Sequence, residues 1–221
     1  MKNPLLVVLL SLAAIVCVQA GVTVTPTRDG LQIKGDGEYL KFTLGYPTLS
    51  TADKKKEFKP KGVEVKDNTA IVKYEGGGEV DVAVDAAAGT VTLKGENLSS
   101  EVGAMSMRMV VDPNFRTGGT YQFGGKAVTP FPENKPEKPH LFQGNAPTLT
   151  IRAADGKGVV ITVPLYSYQE ITDMREWGTN SYGYMSLVNF TPDAAVTYKF
   201  EDAGPAPAPA DAGATPAPAA Q

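Results

Sequence analysis

Residue types that do redox, metal or nucleophilic chemistry are scarce in this chain, which has one histidine, one cysteine and one tryptophan in 221 residues. His140 has no second histidine with which to share a metal, and the zinc-binding His-Glu-x-x-His pattern is absent. No G-x-S-x-G elbow marks a serine hydrolase, and a triad would need His140 as its base. That residue sits in a proline-rich stretch beside Leu141 and Phe142, which favours a surface or loop-packing histidine over a catalytic one. Gly118, Gly119, Gly124 and Gly125 fit neither a phosphate-binding loop nor a dinucleotide fingerprint, and read as turn formers. No cofactor is therefore expected. Ca²⁺ stays open without assigned ligands, because oxygen donors need no signature and no D-x-D-x-D-G loop is present.

Charge of one sign is also lacking. The formal net charge is −3, with 21 basic and 24 acidic residues, which argues against nucleic acid as a partner. The lysine-rich run from Asp53 to Lys61 carries its own acids and Pro60, so it reads as a solvated loop.

Long apolar runs are missing except at the start. Lys2, the apolar run Pro4 to Val18 and the small-residue site Val18-Gln19-Ala20 predict a signal peptide over residues 1–20. The run is too short for a comfortable membrane span, so no stable span is expected after cleavage. Cleavage after Ala20 would remove Cys17, leaving a mature chain with neither disulfide nor thiolate ligand. These features predict a secreted or periplasmic protein. At the far end, residues 201–221 include the run Gly204 to Gln221, whose prolines and alanines cannot build a core. A disordered tail is expected there, slightly ahead of a wall-crossing spacer.

What the chain does have is period-two alternation between turn residues, the mark of half-buried strands. Val80, Val82 and Val84 alternate with Glu79, Asp81 and Asp85, and the next strand, Thr90 to Glu96, should pair with them antiparallel. Met105, Met107, Met109 and Val111 alternate with Ser106 and Arg108, and the methionines are expected to fill core. Leu149, Ile151, Val159, Ile161 and Val163 predict a central hairpin. From Pro113 to Pro147 the rhythm breaks, and an extended, irregular excursion is expected. Residues 21–200 thus predict one all-β domain, an antiparallel two-sheet β-sandwich, with a closed β-barrel as the alternative.

The candidate working surface lies between Val159 and Phe190, which hold Trp177 and four of the nine tyrosines. Tyr166, Tyr168 and Glu170 alternate on one predicted strand, and Tyr182 and Tyr184 on the next. Paired across the turn Asp173 to Asn180, the four tyrosines would form a ladder, with Asp173, Arg175, Glu176 and Trp177 at its end. Aromatic faces stack on the C–H faces of sugars, and carboxylates and arginine satisfy hydroxyls. The leading expectation is a secreted, non-catalytic module that binds a carbohydrate or cell-envelope polymer there. One rival is a polysaccharide-active hydrolase or lyase using Glu170, Asp173 or Glu176. The other is a structural or assembly protein of the envelope, in which the ladder is only core and Trp177 is buried. The oligomeric state is not legible in the chain.

Overall fold

The computed structural model describes residues 21–37, 39–165 and 167–206. The expected signal peptide, Tyr166 and the Pro/Ala tail from residue 207 lie outside the described residues.

Eighteen strands follow in chain order: β1 (Thr23–Thr27), β2 (Gly30–Lys34), β3 (Lys41–Leu44), β4 (Thr48–Ser50), β5 (Glu57–Phe58) and β6 (Pro60–Lys66). Then come β7 (Thr69–Tyr74), β8 (Glu79–Asp85), β9 (Thr90–Glu96), β10 (Ala104–Val111), β11 (Thr120–Phe123) and β12 (Thr129–Pro130). The last six are β13 (His140–Asn145), β14 (Thr148–Arg152), β15 (Gly158–Thr162), β16 (Tyr168–Asp173), β17 (Tyr182–Asn189) and β18 (Ala195–Asp202).

The first sheet runs β1-β2-β3-β10-β17-β16-β13, with β4 beside β10 and β5 beside β4. The second runs β12-β11-β14-β15-β18-β9-β8-β7-β6. Both are antiparallel and remain open, so the molecule is a β-sandwich and not a closed barrel. Among the described residues no helix is long and apolar enough to cross a membrane.

Alternation explains the layers. On β8, Val80, Val82 and Val84 are buried, whereas Asp85 is exposed, and Val82 sits opposite Leu93 of β9. On β10, Met105, Met107, Met109 and Val111 face the core, while Arg108 and Val110 face outward. Fully burying such side chains contributes about 1.5–3 kcal/mol each. The β14–β15 hairpin pairs Ile151 with Val159 and Leu149 with Ile161, all buried.

The excursion from Pro113 to Pro147 departs from expectation, because it contributes β11, β12 and β13 as well as a 3₁₀ turn at Pro113–Arg116. Its aromatic residues are the reason. Phe115, Tyr121, Phe123 and Phe131 are buried, and Phe131 packs its ring 5.0 Å from Tyr121 and 4.6 Å from Tyr182. The prolines keep the segment extended while these rings anchor it on the core. At the other end, β18 runs two residues beyond Phe200, and the Arg152 guanidinium donates to the carbonyls of Ala203 and Gly204 at 2.7 Å each.

Candidate functional site

The β16–β17 pairing decides which hairpin side chains face solvent. Tyr168 lies opposite Leu187, Glu170 opposite Met185, Ile171 opposite Tyr184, and Asp173 opposite Tyr182. Directly paired residues share a face. Even-numbered positions of β16 therefore share a face with odd-numbered positions of β17. Tyr168 and Glu170 stand on the outer face, while Tyr182 and Tyr184 stand on the inner one. The expected four-tyrosine ladder does not form.

Tyr182 and Tyr184 are 0% and 1% exposed. The Tyr182 hydroxyl donates to the Pro132 carbonyl at 2.9 Å, and that of Tyr184 to Gln169 Oε1 at 2.8 Å. Burial pushes both phenols above their ordinary range. Their side chains belong to the core and not to an exposed aromatic face.

Asp173 and Arg175 are also corrected. The Asp173 side chain is buried and accepts two hydrogen bonds from Arg175 Nε, at 2.9 and 3.1 Å, and one from a terminal nitrogen at 2.5 Å. Burial pushes this carboxyl up, but the arginine outweighs it and holds the pKa below the usual range. Arg175 also donates to the carbonyls of Pro132, Glu133 and Asn134. The pair pins the proline-rich loop to the hairpin. Glu176 bonds Lys135 at 2.6 Å on the surface and stands apart from the cleft lining.

Glu170 and Trp177 line a cavity. A cleft of about 920 Å³ opens on the outer face of the first sheet, lined by side chains of β3, β10, β17, β16 and β13 and by the turn after β16. Its floor is two transverse rows. One holds Arg108, Met185 and Glu170, which are successive strand partners, and the next holds Val110, Gly183, Thr172 and His140. Gly183 keeps the second row low, since a Cβ there would lie 3.1 Å from Met174 Sδ.

A 3₁₀ turn at Met174–Trp177 raises one wall. Asp173 Oδ1 accepts from the Arg175 amide and caps the turn's start, and Gly178 ends it at φ 79°. Trp177 is left 57% exposed at the cleft, its ring 6.4 Å from the imidazole of His140 in an edge-on arrangement. His140 Nδ1 lies 3.1 Å from Glu170 Oε1 and 3.3 Å from Thr172 Oγ1. Glu170 also accepts from Thr172 Oγ1 at 2.6 Å, Tyr168 at 3.2 Å and Gln143 at 3.4 Å. Partial burial raises its pKa, but these donors and His140 together hold it below the usual range. Glu170 is thus a fixed carboxylate whose oxygens are already occupied.

Ser181 also lines the cleft. It is 5% exposed, and its Oγ has no hydrogen-bond partner among the described residues. Buried hydroxyls are rarely left so, but this oxygen has almost no accessible surface, so a molecule in the cleft does not meet it without a local shift.

Of the residues the sequence singles out, Trp177 and Glu170 line the cleft and Tyr168 bonds Glu170 beside it. His140, Arg108, Lys41, Thr172 and Ser181 line it as well and are not among the expected ligand contacts. The alternation on β10 already placed Arg108 outward, but no sequence signal places His140 on the edge strand opposite Thr172. Among the described residues no three His, Cys, Asp or Glu side chains converge, so Ca²⁺ gains no ligand set.

No family model matches this chain, and no curated protein matches it. Solved structures do resemble it in fold. One is the alpha-N-acetylgalactosaminidase NagBb from Bifidobacterium bifidum in complex with GalNAc, at TM-score 0.53 and 11% identity, covering 83% of this chain and 35% of that one. Another is a GH31 family sulfoquinovosidase from E. rectale, at TM-score 0.47 and 8% identity, covering 80% of this chain and 32% of that one. The chain thus spans about a third of each of these structures, and the likeness to NagBb concerns the β-sandwich alone.

Proposed function

We propose that the domain binds a saccharide in the cleft on the outer face of the first sheet. Trp177 stacks on a sugar ring, and His140 and Thr172 meet its hydroxyls. The observation that carries this reading is the exposed indole beside the His140–Glu170 pair in a cleft of about 920 Å³. An exposed aromatic ring flanked by fixed polar groups is the arrangement that suits a pyranose, with an apolar face and a polar rim. With export expected for residues 1–20, the ligand class is a cell-envelope or extracellular polysaccharide.

The test is a panel of oligosaccharides, GalNAc-containing ones included, titrated while the emission of Trp177 is followed. A saturable shift that disappears in Trp177→Ala is expected, with the thermal midpoint of that variant unchanged. Binding that survives the substitution would move the site elsewhere.

One observation favours a second reading, a polysaccharide-active enzyme. A histidine held by a carboxylate, with its other ring nitrogen unbonded among the described residues, is suited to moving a proton. Of Glu170, Asp173 and Glu176, from which a carboxylate pair is expected, only Glu170 lines the cleft, since Asp173 is buried in an ion pair and Glu176 is bound to Lys135. Product release that stops in both His140→Ala and Glu170→Gln would make this reading the main one. The assembly-protein reading expected a buried Trp177, and the residue is exposed.

A further inference from the structure

The cleft is electrically lopsided. On the β16–β13 side, Glu170 is surrounded by His140, Thr172, Tyr168 and Gln143, so its oxygens are already occupied. On the β3–β10 side stand Lys41 and Arg108, both exposed and both lining the cleft. Neither forms an ion pair or side-chain hydrogen bond among the described residues. Arg108 does not pair with Glu170: Met185 occupies the strand between them, with the two backbones about 10 Å apart. Asp29, at the turn between β1 and β2, is the remaining carboxylate among the described lining residues.

We propose that the saccharide is acidic, with a carboxylate or sulfate ester received by Arg108 and reinforced by Lys41. This deepens the saccharide reading above and rests on it. Arg108 stands on a central strand beside Met185 and Val110, where the apolar neighbours and concave shape strengthen attraction to an anion. Its planar fork matches the two oxygens of a carboxylate or sulfate. The anionic group then lies roughly two strands, about 10 Å, from Glu170, so about two sugar residues span both ends of the cleft.

The experiment uses the full chain and two sets of polysaccharide. The acidic set is alginate, polygalacturonate and carrageenan, a sulfated galactan without uronate, and the neutral set is galactan, mannan and arabinoxylan. Affinity is read from Trp177 emission at low and high salt. At least one acidic polymer is expected to bind ten-fold or more tighter than every neutral one, with the advantage fading as salt rises. Arg108→Gln should remove most of that advantage, Lys41→Gln a smaller part, and Asp29→Asn should tighten acidic binding a few-fold. Whether the uronates or the sulfated polymer lead separates carboxylate from sulfate. Neutral and acidic polymers binding equally, or an advantage untouched by Arg108→Gln, would overturn the acidic assignment and leave the saccharide site standing. No response from either set would remove the saccharide reading as well.

Discussion

The two faces of the β16–β17 hairpin are built from alternate residues of one stretch, yet they treat polar groups in opposite ways. On the inner face, Gln169, Asp173, Tyr182, Tyr184 and Ser186 are buried, and every one has a hydrogen-bond partner. On the outer side, Trp177 projects into a cleft, Ser181 has an orphaned hydroxyl, and Arg108 across the sheet has no counter-ion among the described residues. Satisfied polar groups in a core specify the fold. Exposed groups left unsatisfied in a concavity are held ready for something else. The same residue types therefore carry different meanings, and strand parity decides which applies.

The comparison breaks most visibly if an inner-face ring is removed. Tyr184→Ala should destabilise by about 3–5 kcal/mol, through lost burial and the cavity left behind. In a domain of this size that lowers the midpoint by roughly 6–20 °C, checked by thermal or urea unfolding. Next in size is Asp173→Asn, which leaves Arg175 against the loop carbonyls without its counter-charge. A loss of about 3 kcal/mol is expected at neutral pH, because a buried pair is costly to break from one side. The pH dependence follows from the sign of the shift. The folded carboxyl titrates below its unfolded value near 3.9, so the unfolded state binds the proton first as pH falls. The stabilisation is fully present above about pH 4 and is lost as pH falls through the folded value. The gap between wild type and Asp173→Asn should shrink over that acid window and stay constant from pH 5 to 7.

Much of this was legible from period two alone. The strands of β8, β9 and β10 matched the alternation of valines and methionines, because each has one face in the core and one outside. The hairpin at β16–β17 was legible as a hairpin, but its relative register was not. Register follows from how the 3₁₀ turn at Met174–Trp177 returns the chain, and a change of one residue there exchanges the faces. That is why Tyr182 and Tyr184 were placed with Tyr168, when they pack against Phe131 and Gln169 instead. The proline-rich excursion hid its strands because prolines mask alternation, and so it hid His140. A site assembled across five strands leaves no local motif.

Two substitutions that each delete a single oxygen sharpen the comparison further. Tyr184→Phe keeps the ring but leaves the buried Gln169 Oε1 without its donor, since the amide nitrogen of that side chain is already bound to Ala146. An unsatisfied buried acceptor costs about 1–3 kcal/mol, and the loss should appear in unfolding with no change in ligand affinity.

Ser181→Ala is the matching deletion on the other side and should have the smallest effect on folding. The hydroxyl has no partner to lose among the described residues, so its removal also removes a desolvated polar group. Stability is expected to stay within about 0.5 kcal/mol or to rise slightly. Affinity for a sugar in the cleft should also stay within about two-fold, because Ser181 Oγ has almost no accessible surface. Neither quantity should move, whereas Tyr184→Phe loses stability. A Ser181→Ala protein that loses as much stability as Tyr184→Phe would show that the hydroxyl is structurally bonded and that the contrast between the two faces is drawn in the wrong place.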